Sequence, residues 1–305
     1  MDSFDVHQHL WPEAVLRVLE GRVGRPRAIW KNGRWRVDLP GEPSFAIDPA
    51  EHDPGERERS LEVDRALVAL SSPVGLEALP PRDALAALSA WQEAARELPT
   101  RLGWWASTPS ALGIEEESDF VRQALSEGAA GLCLPANWLA SPAEAERVLP
   151  VLGAVAEAGA PLFVHPGPVH GRVEAPAWWP PATDHVAQQH AAWHAFHAVV
   201  RPSLPDLRVV FGLLAGLAPL HAERAALRGG MVGETALSDQ LSFYDTSSYG
   251  PRAVRALSAA VGIGQLVYGT DYPMTGRAGD PVAEAFSRGW ADVVRRGAPS
   301  RALGC

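Results

Sequence analysis

The chain has 305 residues, 47% hydrophobic and 21% charged, with a formal net charge of -9. That length suits a large α/β domain with a sizeable core, and the negative balance argues against a surface that tracks nucleic-acid phosphates. No apolar run approaches the roughly 18 residues of a membrane span. The N-terminus lacks the basic start and apolar core of a signal peptide, and the two cysteines, Cys133 and Cys305, make no disulfide framework, so a cytoplasmic protein is expected.

In chain order, β-prone runs fall at 4–9, 66–71, 102–106, 131–135, 161–165, 207–212, 241–245 and 265–270. Between them lie stretches of helical periodicity, as at 82–98, 116–127 and 142–158. Ser141-Pro142-Ala143-Glu144 reads as a helix start, with Ser at the N-cap, Pro at the first position and an acid in the first turn; Gly159 reads as its stop. Eight strands alternating with helices predict a parallel sheet closed into a (β/α)8 TIM barrel spanning the whole chain, 1–305. A doubly wound open sheet is the alternative. An insertion at about 29–47 follows the first strand. Its Asn32-Gly33, flanked by β-prone residues, predicts a type I′ hairpin, a small flap over the barrel mouth.

Three strands end in residues that bind metals. His7-Gln8-His9 closes the first, and residues i and i+2 of a strand face the same side. Phe163-Val164-His165-Pro166-Gly167 places His165 at the tip of the fifth, where barrel enzymes keep their chemistry. Gly269-Thr270-Asp271-Tyr272-Pro273 closes the eighth, beside the first in a closed barrel. Three imidazoles and a carboxylate suit one divalent ion, Zn2+ before Mn2+ or Fe2+, with room for water.

With those motifs, the chain resembles the amidohydrolase-related ("amidohydrolase 2") superfamily, and within it the aminocarboxymuconate-semialdehyde decarboxylase-like branch. His52-Asp53-Pro54-Gly55-Glu56-Arg57, Glu62-Val63-Asp64 and the run 205–211 add to the likeness. The resemblance implies a mononuclear metal barrel. It also implies a catalytic His-Gly-Gly after strand six, where this chain has Gly212-Leu213-Leu214. Binuclear relatives carry a bridging lysine or glutamate on strand four. Here that strand reads Gly131-Leu132-Cys133-Leu134-Pro135, and Lys31 is in the flap. Cys133 is read as a buried filler.

The missing histidine tilts the expected reaction toward hydrolysis of a small cyclic or aromatic substrate. Asp271 would then be ligand and base, and His170, five residues beyond His165, would be a replacement relay. Non-oxidative decarboxylation of an aromatic or unsaturated acid is the alternative, and a catalytically degraded binding protein the third reading. Trp11, Trp178 and Trp179 are candidates for an aromatic substrate wall, and Arg57, Arg59 and Arg277 for a carboxylate clamp. His190, His194 and His197 share a helix face, read as packing on the barrel or against a dimer partner rather than as a second metal site. The expected partner is a small molecule, with neither nucleic acid nor membrane, and a homodimer is left open.

Overall fold

The computed structural model describes residues 1–110, 112–169, 175–229, 233–275 and 279–305. Its strands are β1 (Phe4–His9), β2 (Arg27–Lys31), β3 (Arg34–Asp38), β4 (Phe45–Ile47), β5 (Arg65–Ala69), β6 (Leu102–Ala106), β7 (Gly131–Pro135), β8 (Leu162–His165), β9 (Val209–Phe211), β10 (Ser242–Asp245) and β11 (Leu266–Val267). Parallel pairing runs β1-β5-β6-β7-β8-β9-β10-β11. The ends meet: the Val6 amide donates to the Tyr268 carbonyl at 2.9 Å and the His9 amide to the Tyr272 carbonyl at 2.8 Å. The sheet is thus a (β/α)8 barrel. Among the described residues, no helix is long and apolar enough to cross a membrane.

The principal helices are α1 (Glu13–Glu20), α2 (Pro54–Arg59), α3 (Pro81–Arg96), α4 (Ile114–Ser126), α5 (Pro142–Glu157) and α6 (His185–Ala195). The Ser141 hydroxyl caps α5 by accepting from the Glu144 amide, as its sequence predicts, and Asp53 caps α2 the same way. The last strand is shorter than the predicted 265–270. Beyond Val267 the backbone bonds piecemeal to β1 and to the Asp5 side chain.

Strand alternation sorts the barrel into two layers. Val6, Leu67, Trp105, Phe163, Val210 and Phe243 face inward and fill the interior with apolar bulk. One step up, β8 presents His165 and β10 presents Asp245. On β1 the parity would fail, because Phe4 and Val6 point inward while the histidines are odd-numbered. A bulge resolves this: Asp5 pairs with Ala66 but Gln8 with Val68, so β1 carries one extra residue. The bulge turns His7 and His9 onto the inner face, and His7 sits 4.9 Å from the Phe163 ring.

The insertion is a three-stranded antiparallel sheet, β2-β3-β4, one strand more than the predicted hairpin. Asn32 and Gly33 make its turn with φ of 54° and 76°, the pair of positive angles a type I′ turn requires. Asp38 holds the sheet through Arg27 and Arg36.

Candidate metal centre

His7, His9, His165 and Asp271 converge at the C-terminal end of the barrel, with four potential ligand atoms within 4.8 Å of one another. Nε2 of His7 and of His9 lie 3.1 Å apart, and Oδ1 of Asp271 is 3.5 Å from the first and 3.1 Å from the second. The three imidazoles stand nearly perpendicular, with ring centroids 4.9–5.0 Å apart.

The opposite nitrogen of each ring is tied to a group that can only accept. Nδ1–H of His7 donates to Asp245 at 2.7 Å, that of His9 to the Ala69 carbonyl at 3.2 Å, and that of His165 to the Pro166 carbonyl at 2.9 Å. These bonds fix the tautomer, and the Nε2 lone pairs face the centre, the arrangement a metal site needs. Asp245 is itself held by the Ser247 amide and hydroxyl. Gly269 allows this approach, since a Cβ there would fall 2.0 Å from Asp245 Oδ1. The donor set therefore fits one borderline divalent cation.

Electrostatics follow from burial and charge. Burial opposes a proton on His7, but Asp245, Asp271 and Asp5 prevail and hold its pKa up at about 9. Burial pulls His9 down and His165 well down, reinforced by the neighbouring imidazoles. Burial also works against the Asp271 carboxylate, yet His7 and His9 keep it below the ordinary carboxylate value. Asp271 has a φ of 57°, a left-handed conformation that Asp tolerates better than most residues; its amide donates to the His7 carbonyl at 2.8 Å.

Above the donors opens a cavity of about 400 Å³. His9, His165 and Asp271 form its floor. Its walls are mainly apolar: Leu39, Pro43 and Phe45 from the flap, Val74 after β5, Leu213 after β9 and Met274 after Asp271. The polar residues on the walls include Glu42, Ser44, His185 and Ser248.

The amidohydrolase family model matches residues 4–292. The chain belongs to the amidohydrolase family. No curated protein sequence matches it. Solved structures share its fold across essentially their full length. The apo form of IDCase from Metarhizium anisopliae superposes with a TM-score of 0.82 at 18% identity, over 99% of this chain and 97% of that one. For the 5-carboxyvanillate decarboxylase LigW from Sphingomonas paucimobilis the values are 0.73, 15%, 99% and 98%. For the 2,6-dihydroxybenzoate decarboxylase from Rhizobium they are 0.68, 12%, 99% and 98%.

Within this amidohydrolase the other residues singled out by sequence scatter. Leu213, not Leu214, faces the cavity, and it opens a left-handed turn: φ runs 51°, 49°, 56°, 58° and 60° from Leu213 to Leu217. Gly216 is pressed onto α6, where a Cβ would meet the Val186 carbonyl at 2.4 Å. Trp11 lies on the far side of β1, lining a separate cleft with Trp30, Trp35 and His52, and does not reach the cavity. Trp178 and Trp179 pack on each other at 5.4 Å between Ala177 and Pro181, which line the cavity, but are not among its lining residues themselves, and Trp178 is exposed. Arg57 is no substrate clamp in this geometry. It is buried, donates to Gln8 Oε1 and the His9 carbonyl at 3.0 Å, and stacks over Tyr272, bracing the histidine strand from outside. Arg59 pairs with Glu56 at the surface. His170 and Arg277 lie outside the described residues.

The helical histidines do not converge as ligands. His197 bonds the Trp193 carbonyl and Ser242, while His190 and His194 lie ring to ring, burial taking His194 down to about 4. Cys133 is buried in the barrel interior, where burial pushes its thiol up, as befits a filler. Glu77, in the segment after β5, is also buried. Its Oε1 accepts from Ser72 at 2.8 Å, its Oε2 finds no partner among the described residues, and burial lifts its pKa to about 7.

Proposed function

We propose that this chain is a metal-dependent, non-oxidative decarboxylase of a small aromatic carboxylic acid. The observation that carries the reading is the convergence of four donors, with every second imidazole nitrogen already committed, beneath a cavity of about 400 Å³ whose mainly apolar walls leave room for one ring. His7, His9, His165 and Asp271 would hold a single divalent cation. Mn2+ is the first to test beside Zn2+, because a solved 5-carboxyvanillate decarboxylase from Novosphingobium aromaticivorans contains manganese with 4-hydroxy-3-methoxy-5-nitrobenzoic acid. When bound, such an ion orients an anionic substrate and offsets its charge. Asp245 and the carbonyls of Ala69 and Pro166 keep the imidazoles in the metal-binding tautomer. Phe45, Val74 and Leu213 exclude water from the ring that loses its carboxylate.

The sequence pointed first to hydrolysis, on the strength of Leu213 standing where relatives have a histidine. The named decarboxylases that share the fold support the other outcome. The test is direct. Protein loaded with Mn2+ or Zn2+ is given 2,6-dihydroxybenzoate, 5-carboxyvanillate and other hydroxybenzoates, and CO2 release is compared with substrate loss. Equal amounts are expected. Turnover confined to lactones, esters or amides, with no CO2, would overturn the reading.

A further inference from the structure

The cavity wall holds a pair of titratable side chains that the metal reading leaves unused. His185, the first residue of α6, places Nε2 3.1 Å from Oε1 of Glu42, in the flap loop between β3 and β4. Their side chains are only 10% and 11% exposed, and both line the cavity above the donors. The residues are 143 positions apart, so the flap meets the barrel at this contact. Closing a flap needs no charge, since apolar contacts serve as well and avoid desolvating two ionisable groups. Glu42 ties up Nε2, and Nδ1 of His185 has no hydrogen-bond partner among the described residues.

We propose that His185, oriented by Glu42, is the proton donor to substrate carbon. This rests on the decarboxylase reading of the site. The imidazolium gives its Nδ1 proton to the ring carbon that bears the carboxylate. The bond from that carbon to the carboxylate then breaks, its electron pair restores the aromatic ring, and CO2 leaves. Aromatic carboxylate and imidazolium thus become arene, CO2 and neutral imidazole, and solvent returns the proton to His185. Glu42 steadies the imidazolium through Nε2–H. Among the described residues, the other charged or titratable groups facing this space are His165, His9 and Asp271 on the floor, with Asp184 preceding His185 on its own segment.

The experiment uses metal-loaded protein and the same hydroxybenzoates. His185→Gln is expected to lower kcat by about 10²–10⁴-fold, with KM within a few-fold and metal content and melting temperature unchanged. Glu42→Gln should cost less in rate and move the pH profile. Gln keeps the shape but removes the charge that faces the imidazolium, so a moved alkaline limb is a change that a purely structural contact would not cause. In D2O, wild type should place deuterium at the vacated carbon faster than either variant. Full activity in His185→Gln, or an unmoved alkaline limb in Glu42→Gln, overturns the proposal while leaving the decarboxylase reading intact. Wild-type protein that releases no CO2 from any of the acids overturns both.

Discussion

The floor and the walls of the cavity are built by opposite means. The floor is made at strand ends: His7 and His9 by a bulge in β1, His165 by plain alternation above Phe163, and each ring is locked through its second nitrogen. The walls come from connections, namely the flap loop, the segment after β5 and the left-handed turn after β9, and they meet through few polar contacts. A scaffold that fixes charge at strand tips and leaves shape to loops can keep one metal site while changing what enters it.

Removing two floor donors should break that division most completely. A His7→Ala, His165→Ala double variant is expected to purify without metal and to lose all turnover, as read by elemental analysis and CO2 release. Metal retained in full would move the site elsewhere. Next in size is Asp245→Asn, which keeps the shape but removes the carboxylate that orients His7. Loss of such a partner typically costs about 10–100-fold in metal affinity, measurable by competition with a chromophoric chelator. Unchanged affinity would mean that the Ala69 and Pro166 carbonyls suffice.

Acidity acts on the same floor. In the metal-free protein His7 holds a proton up to a pKa of about 9, and a cation must displace it. Apparent metal affinity should therefore climb with pH, by up to about tenfold per unit for one displaced proton, and level off above about 9. A profile flat from pH 6 to 9 would show that no proton leaves. Wall changes should be milder and of another kind. Phe45→Ala enlarges the cavity and should raise KM for the hydroxybenzoates, by about 1–3 kcal/mol of lost contact, with metal content untouched. A fall in metal content instead would show the flap to be part of the floor's support.

The smallest expected effect concerns Glu77, beneath the wall. Its pKa is raised to about 7 in the folded chain, so the folded state favours the neutral acid, and stability is lost as pH climbs from the ordinary glutamate range through about 7. Gln mimics the neutral form. Glu77→Gln should melt with wild type at pH 4 and a few degrees above it at pH 8; equal melting at both would place Glu77 in contact with a compensating charge.

The same division explains what the sequence could show. Barrel and donors were legible because each is a local pattern: an apolar run, a ligand-type residue at its end, a breaker after it. Asp245 carried that signal too, at the end of the predicted strand 241–245, yet an aspartate there reads equally as a helix cap. Only its approach to His7 through the gap at Gly269 separates the roles. The bulge in β1 left no mark, since it is a register effect between strands about 60 residues apart. Glu42 and His185 were invisible for the same reason. Trp11 and Arg57 lie elsewhere because Trp11 falls after β1 has ended, where the chain turns into a separate cleft, and Arg57 braces the strand from behind.

The turn from Leu213 to Leu217 has a consequence for how such a protein can change over generations. Of five successive left-handed residues, the four that are not glycine are disfavoured by roughly 1–2 kcal/mol each. Their close fit against α6 at Gly216 helps to sustain them. One residue inserted or deleted there would turn every later side chain to a new direction and strip the strain of its compensation. The exposed Asn32-Gly33 turn at the far end of the flap can lengthen or shorten at little penalty. Descendants of this chain should therefore vary in length at that hairpin turn and keep the count between β9 and the end of the left-handed turn fixed, accepting new side chains there but not new spacing.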